Sequence, residues 1–197
     1  LPDPVMAAAR QQFQLFNEPR DIAPSWETFK AGLREADAAI CTLTDRVDTA
    51  LLAEPTRLKI LANYAVGYNN IDVPACTARG VMATNTSGVL DDSTADLAWA
   101  LILGTARRLT ELERRVRAGE WTGWRLKQWL GIDVHHATLG IFGMGRIGQA
   151  IARRAAGFEM KVLYNNRTRI APDVEKKLNA TYVSKDELLR QSDFVIL

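Results

Sequence analysis

Apolar positions along the chain follow two spacings, one typical of buried strands and one typical of amphipathic helices. In the first 89 residues, short apolar runs that predict strands occupy 37–43, 58–65 and 81–85. Helical spacing occupies 5–16, 26–35 and 73–79. Because helices that connect successive strands imply parallel βαβ units, this part is predicted to be α/β with a parallel sheet.

A long helical pattern at residues 91–119 separates the two halves of the chain. Its first half contains the run from Leu97 to Leu103, which is apolar on every side and is therefore predicted to be buried all round. A helix that passes between two domains, or into a subunit interface, would meet that requirement. The second half mixes arginine with glutamate, which predicts a solvated face.

The second half of the chain opens with a predicted strand, a glycine-rich turn and a helix. The turn reads Gly143, Met144, Gly145, Arg146, Ile147 and Gly148. In this G-x-G-x-x-G spacing the first glycine permits a tight turn and the second lets a pyrophosphate approach the backbone. The third allows the helix to pack closely against the strand. The free N–H groups of the turn and the positive end of the helix then face the phosphates. The pattern predicts a dinucleotide site.

The next predicted strand, residues 161–165, ends where an NAD-binding protein places an acidic residue on the ribose 2′-hydroxyl. The chain instead reads Asn166, Arg167, Thr168 and Arg169, with no carboxylate to repel a 2′-phosphate. Either arginine could pair with that phosphate and Thr168 could donate a hydrogen bond, whereas the alternative is an exposed basic turn. We favour NADP(H) over NAD(H). Four further elements are predicted: a helix at 174–178, a strand at 180–183, a helix at 185–190 and a strand at 194–197.

Residues 63–72 follow the carboxyl end of a predicted strand, which is the edge where open parallel sheets bind ligands. Gly67 permits a backbone conformation that other residues resist, and it could expose successive N–H groups to a small anion. An ordinary strand-to-helix turn, in which Asn69 and Asn70 supply the turn chemistry, is the alternative. The residues alone leave both interpretations open.

The charge, cysteine content and hydropathy of the chain speak against several classes of protein. The 25 basic and 23 acidic residues give a net charge of +2, which does not indicate a nucleic-acid-binding protein. Cys41 and Cys76 form no close pair, which is typical of a reducing compartment and speaks against a disulfide scaffold or a thiolate metal site. No apolar run approaches the ~18 residues of a membrane span. We expect a soluble, cytoplasmic protein with no metal and no membrane partner.

The two histidines, His135 and His136, precede the predicted strand at 139–142. They therefore lie at its amino end, away from the ligand edge, and a catalytic role is not expected for either. Both ends of the chain look cut, because it starts without an initiator methionine and stops within an apolar run. We expect a fragment of a longer protein.

Three segments, residues 58–109, 138–169 and 188–197, carry a family resemblance. They resemble the D-isomer-specific 2-hydroxyacid dehydrogenases, in the glyoxylate/hydroxypyruvate reductase branch. The resemblance implies an incomplete flavodoxin-like substrate domain at residues 1–89. It also implies an incomplete Rossmann domain, a doubly wound parallel sheet, at 90–197, with residues 91–119 as a linker and homodimerisation helix.

The resemblance also implies roles for individual residues. The N–H groups of Val66 and Gly67 would hold the substrate carboxylate. The cofactor would contact Thr94, the pyrophosphate would lie on residues 143–147, and the ribose with its 2′-phosphate would meet Asn166, Arg167 and Thr168. The family's catalytic arginine, glutamate and histidine would lie beyond Leu197, so no catalytic residue is assigned and the chain alone is expected to be inactive.

The expected function is reduction of a small 2-oxo acid, glyoxylate or hydroxypyruvate, to the 2-hydroxy acid by hydride transfer from NADPH. One alternative is an NAD-dependent member of the family, of the phosphoglycerate or formate dehydrogenase type. Another is a non-catalytic NAD(P)-binding sensor or co-repressor-like protein on the same scaffold.

Overall fold

The computed structural model describes residues 1–16, 24–54 and 56–197, and it divides the chain into two compact units, Leu1–Ser87 and Gly88–Leu197. Each unit is an α/β assembly around its own parallel sheet. The predicted fold class is therefore confirmed. The helix predicted at 5–16 lies at Asp3–Gln12, so it begins two residues earlier and ends four residues earlier than predicted.

The first unit contains a three-stranded parallel sheet in the order β1-β2-β3. Its strands are β1 (Ala38–Cys41), β2 (Ile60–Asn63) and β3 (Met82–Asn85), shorter than the predicted runs. Its helices are α1 (Asp3–Gln12), α2 (Trp26–Glu35), α3 (Thr49–Ala53) and α4 (Val73–Ala78). The sequence pattern did not predict α3, because its single turn is too short to show a helical period. The Asp48 carboxylate caps its start by accepting a hydrogen bond from the Leu51 N–H.

The second unit contains a four-stranded parallel sheet in the order β6-β5-β4-β7. The strands are β4 (Thr138–Phe142), β5 (Lys161–Asn165), β6 (Ala180–Tyr182) and β7 (Phe194–Ile196). The helices are α5 (Asp91–Ala106), α6 (Leu109–Arg117), α7 (Arg146–Ala155), α8 (Pro172–Leu178) and α9 (Lys185–Gln191). The chain runs outward from β4 to β6 and then returns to the other side of β4, so the strand order reverses at β4. In open parallel sheets that reversal opens a ligand crevice at the carboxyl ends of the strands.

The helical pattern at 91–119 forms two helices, not one. Arg108 adopts a left-handed conformation (φ 54°) between α5 and α6, and its guanidinium is held by Glu111 at 2.7 and 2.8 Å. The Ala106 carbonyl, which would continue α5, instead accepts from the Ile132 N–H at 2.9 Å. A side chain on Gly131 would come within 2.5 Å of that same carbonyl oxygen. The segment around Gly131 therefore packs against the end of α5 and stops the helix there. The spacing of apolar residues within the helix cannot predict this contact, because its partner is distant in sequence.

In the single chain the apolar run on α5 is buried on one face only, and burial of the other face in a subunit interface stays a prediction. Trp99 and Ile102 are 5% and 8% exposed, and Trp99 stacks on Phe158 at 4.6 Å between ring centroids. On the opposite face, Leu97 and Leu101 are 61% and 63% exposed. Helix α5 therefore carries an open apolar face in the single chain.

Among the described residues no helix is both long and apolar enough to cross a membrane.

Cys41 and Cys76 are both buried and free, and burial raises the pKa of the Cys41 thiol to about 11, with the Asp45 charge adding to the effect. In the same ranges, no group of three or more His, Cys, Asp or Glu side chains is placed to hold a metal ion.

Candidate functional site

The glycine loop begins at the end of β4, where the strand order of the second unit reverses. Gly143 has a φ of 98°, a conformation that side chains rarely adopt, and its N–H donates to the Asn165 carbonyl at 3.0 Å. A Cβ on Gly148 would lie 2.1 Å from the Gly143 carbonyl oxygen. Two of the three motif glycines are therefore required by the fold itself, one by its dihedral angle and one by close packing.

The first turn of α7 has no side-chain cap in the described structure. The N-cap is Gly145, and the N–H groups of Arg146, Ile147 and Gly148 donate to no acceptor in the described ranges. A Cβ on Gly145 would meet nothing within 4 Å. These open N–H groups and the positive helix end have the donor chemistry and the free approach that a diphosphate requires.

Asn166 is tied to the glycine loop. Its Oδ1 accepts from the Met144 N–H at 2.7 Å, and its carbonyl accepts from the Tyr182 hydroxyl at 3.3 Å. Met144 itself is buried, and its backbone N–H makes the contact with Asn166. Asn166 thus holds the loop with its oxygen and keeps its Nδ2 as the group available to a ligand. Sequence spacing predicted the ligand contact but not the contact with the loop.

Arg169 is engaged in an ion pair within the fold, unlike the other candidate phosphate partner. Its Nε and Nη2 each donate to a Glu175 carboxylate oxygen at 2.7 Å, and Tyr164 donates to the same carboxylate at 2.5 Å. This pairing lowers the pKa of Glu175 to about 2, chiefly through the Arg169 hydrogen bonds and then through Tyr164. Arg167, by contrast, is exposed and forms no ion pair within the described residues, and the neighbouring Thr168 is also exposed.

Thr94 lies exposed near the start of α5, and in the described ranges no hydrogen bond joins it to the glycine loop. Arg154, on α7, holds this end of α5 through Asp96 at 2.8 Å and Asp92 at 3.1 Å. The Arg146 guanidinium reaches the same end, because a Cβ on Gly88 would meet its Nη1 at 3.0 Å. The start of α5 and the glycine-loop helix are therefore neighbours within the second unit.

In the first unit, Val66 and Gly67 follow the carboxyl end of β2, and the N–H of neither donates to an acceptor in the described residues. Gly67 does not adopt a left-handed conformation, so the expected conformational reason for a glycine was wrong. Asn70 does supply turn contacts, because its Nδ2 donates to the carbonyls of Thr42 and Asp45 at 3.0 and 3.1 Å. The turn and the exposed N–H groups therefore coexist.

His135 and His136 lie immediately before β4, at its amino end, and both are exposed. His136 Nδ1 lies 3.3 Å from a Glu159 oxygen. Neither histidine is near the carboxyl edge that carries the glycine loop, because the strand β4 separates the two ends.

Comparison with known proteins places this geometry in a family. Residues 99–197 match the family described as D-isomer specific 2-hydroxyacid dehydrogenase, NAD binding domain. The whole chain is 47% identical to a glyoxylate reductase of Thermococcus onnurineus, of which it covers 60%. Over 84% of the chain the identity to a glyoxylate reductase of Pyrococcus horikoshii is 50%, and half of that protein is covered.

Solved structures agree with the sequence comparison. A protein of Thermus thermophilus superposes on 99% of the chain with a TM-score of 0.87 at 36% identity, over 61% of its own length. A glyoxylate reductase of Paecilomyes thermophila superposes on 86% of the chain with a TM-score of 0.74 at 37% identity, over 53% of its length. The chain thus spans about 60% of the length of the curated relatives that it matches in full. It belongs to the D-isomer specific 2-hydroxyacid dehydrogenases, and its second unit carries their nicotinamide-dinucleotide-binding domain.

Proposed function

We propose that this protein reduces a small 2-oxo acid, glyoxylate or hydroxypyruvate, to the corresponding 2-hydroxy acid with NADPH. The observation that carries the proposal is the open glycine loop, with three N–H groups that lack acceptors in the described residues, in a chain 47% identical to a glyoxylate reductase. The loop supports a bound diphosphate, and the similarity supports the substrate class.

The cofactor would be held by residues of the second unit. The diphosphate would lie on residues 143–147 and the first N–H groups of α7. The 2′-phosphate would meet the exposed Arg167 and Thr168 and the Nδ2 of Asn166, while Thr94 would contact the cofactor from α5. When bound, the nicotinamide supplies the hydride. NADPH is preferred because no carboxylate follows β5 and because Arg167 is not consumed by an ion pair within the described residues.

The substrate carboxylate would be held by the N–H groups of Val66 and Gly67. These residues bind and orient the 2-oxo acid and do not take part in proton transfer. Both histidines precede β4, so we assign the general acid to neither of them. The family resemblance implies an arginine, a glutamate and a histidine for polarisation and proton donation, and none of these roles is assigned within the 197 residues.

We also propose a homodimer that forms through α5, in a cytoplasmic protein. The support is the exposed apolar face that Leu97 and Leu101 present, since such a face in a single chain marks a contact surface. The family resemblance implies the same element.

The proposed function is tested by steady-state kinetics on the protein produced from its full reading frame. Glyoxylate and hydroxypyruvate should each drive NADPH oxidation, with a higher kcat/KM than NADH supports. Oxidation of phosphoglycerate or formate with NAD⁺, at a higher kcat/KM, would favour the other dehydrogenases of the family. NADPH binding without turnover of any of these acids would favour the non-catalytic sensor and overturn the reductase.

A further inference from the structure

In the turn that follows β2, three successive backbone carbonyl groups accept hydrogen bonds from residues at the strand ends. The carbonyls of residues 65–67 accept, in order, from the Thr86 N–H at 2.9 Å, the Asn85 Nδ2 at 2.7 Å and the Asn63 Nδ2 at 2.7 Å. All of these donors lie at the carboxyl ends of β2 and β3. The turn is therefore fixed by strand-end donors, and two of the three are asparagine side chains.

Holding these carbonyls determines where the next N–H groups point. In a trans peptide the C=O and the following N–H point in opposite directions, and the described chain contains no cis peptide. Each carbonyl held by the strand ends therefore turns the N–H of residue 66, 67 or 68 away from them. None of these three N–H groups has an acceptor within the described ranges. The turn thus presents consecutive donors on its open side.

The asparagine amides are themselves oriented by contacts on their oxygen side. Asn63 is 1% exposed, and its Oδ1 accepts from the Cys41 Sγ at 3.5 Å and from the Asn70 Nδ2 at 3.4 Å. These contacts leave the Asn63 Nδ2 facing the turn. The Asn85 Nδ2 bridges the Val66 carbonyl and the Ser87 Oγ, the latter at 2.8 Å. An aspartate at either position would present an oxygen to a carbonyl oxygen.

We propose that Asn63 and Asn85 are positioning residues for the substrate carboxylate. They act on the two peptide groups that flank Gly67: Asn85 holds the Val66 carbonyl and so directs the Gly67 N–H, and Asn63 holds the Gly67 carbonyl. The Val66 N–H is directed to the same side because the Thr86 N–H holds the Ala65 carbonyl. The inference rests on the proposed function, which assigns those two N–H groups to the carboxylate. Donors that are already oriented stabilise an anion more than donors that must reorient when it binds, because the ordering cost is met during folding.

Asn85→Ala tests the proposal, with oxalate as the probe and with NMR spectra of the amides in isotopically labelled protein. In the unaltered chain the Val66 and Gly67 amide signals should shift with oxalate and saturate. Asn85→Ala should bind oxalate about five- to tenfold more weakly, the loss that corresponds to one misdirected hydrogen bond. Ser87→Ala is the matched control, because it removes the other partner of the Asn85 amide and leaves the Val66 contact intact. Its oxalate affinity should stay within about twofold of the unaltered value.

Two further measurements separate positioning from general damage to the fold. The melting temperature and the NADPH affinity of the second unit should be the same in Asn85→Ala and in the unaltered protein. Asn63→Ala, which releases the Gly67 carbonyl on the other side of the same residue, should also weaken oxalate binding. Because Asn63 is buried, the Asn85→Ala result decides the test if the Asn63 variant does not fold. Equal oxalate affinity in Asn85→Ala and the unaltered chain would overturn the positioning role and leave the proposed function standing. Absence of saturable shifts at Val66 and Gly67 in the unaltered chain would overturn the carboxylate site itself, and the positioning role with it.

Discussion

Alanine at Gly148 and alanine at Gly145 should damage the glycine loop in different ways. At Gly148 a Cβ would lie 2.1 Å from the Gly143 carbonyl oxygen and 3.1 Å from its carbon. At Gly145 a Cβ would meet nothing within 4 Å, and the φ of −78° suits any residue. Gly148→Ala should therefore destabilise the fold, whereas Gly145→Ala should leave stability intact and obstruct the diphosphate.

The sizes of the two effects follow from these distances. Because both sides of the Gly148 contact are backbone, α7 must move away from the loop by about 1 Å, and overpacking of this kind costs about 1–3 kcal/mol. For a chain of this length, that loss lowers the melting temperature by roughly 3–10 °C. At Gly145 an alanine at an N-cap with an ordinary φ changes stability by less than about 1 kcal/mol. Its methyl group, however, occupies the approach of the diphosphate, so NADPH affinity should fall at least about tenfold.

Thermal melts followed by circular dichroism and NADPH titrations followed by tryptophan fluorescence give both quantities on the same preparations. Gly148→Ala should lower the melting temperature and also weaken NADPH binding, since the first N–H groups of α7 move with the helix. An unchanged melting temperature in Gly148→Ala would refute the packing argument. Full NADPH affinity in Gly145→Ala would refute the placement of the diphosphate over the loop.

Three further predictions follow from contacts in the second unit. The double change Asn166→Asp with Arg167→Ala retains an oxygen acceptor for the loop N–H but removes the phosphate partner and adds a negative charge. NADPH affinity should therefore fall at least about tenfold and NADH affinity should change less than about threefold in fluorescence titrations. Glu175 has its pKa lowered from 4.5 to about 2, so its contribution to stability is complete above pH 4.5 and is lost as the pH falls towards 2. Glu175→Gln should remove that part of the acid dependence in urea unfolding. Leu97→Ala with Leu101→Ala should shift the protein from dimer to monomer in light scattering.

Each of these predictions has a matched comparison. Equal losses of NADPH and NADH affinity would contradict the assignment of the 2′-phosphate to Arg167. Glu35→Gln, an exposed carboxyl on α2, should leave the acid dependence unchanged, and an effect of the same size as that of Glu175→Gln would contradict the ion-pair argument. Leu126→Ala, an equally exposed leucine outside α5, should leave the mass unchanged. Ile102 is unsuitable for this test because it lies in the core, and a dimer that survives loss of both exposed leucines would contradict the α5 interface.

The sequence alone determined the features that depend on neighbouring residues. The periods of apolar positions predicted every described strand of both sheets, because a buried strand needs a short apolar run wherever it occurs. The glycine spacing predicted the turn after β4, because Gly143 and Gly148 satisfy a local dihedral angle and a local close approach. The absence of a carboxylate after β5 is likewise evident from the sequence itself.

Tertiary structure alone decided which of the candidate groups are available. Arg167 and Arg169 are indistinguishable in the sequence, yet packing of α8 brings Glu175 against Arg169, whereas Arg167 has no ion pair within the described residues. The two faces of α5 are equally apolar, yet only one meets the core. The N–H groups of residues 67 and 68 point outward because asparagines at the ends of β2 and β3, up to 19 positions away along the chain, hold the preceding carbonyls. Residue type and spacing set what a group can do, and partners from distant elements set whether it is free to do it, because a hydrogen bond made in the fold cannot also be offered to a ligand.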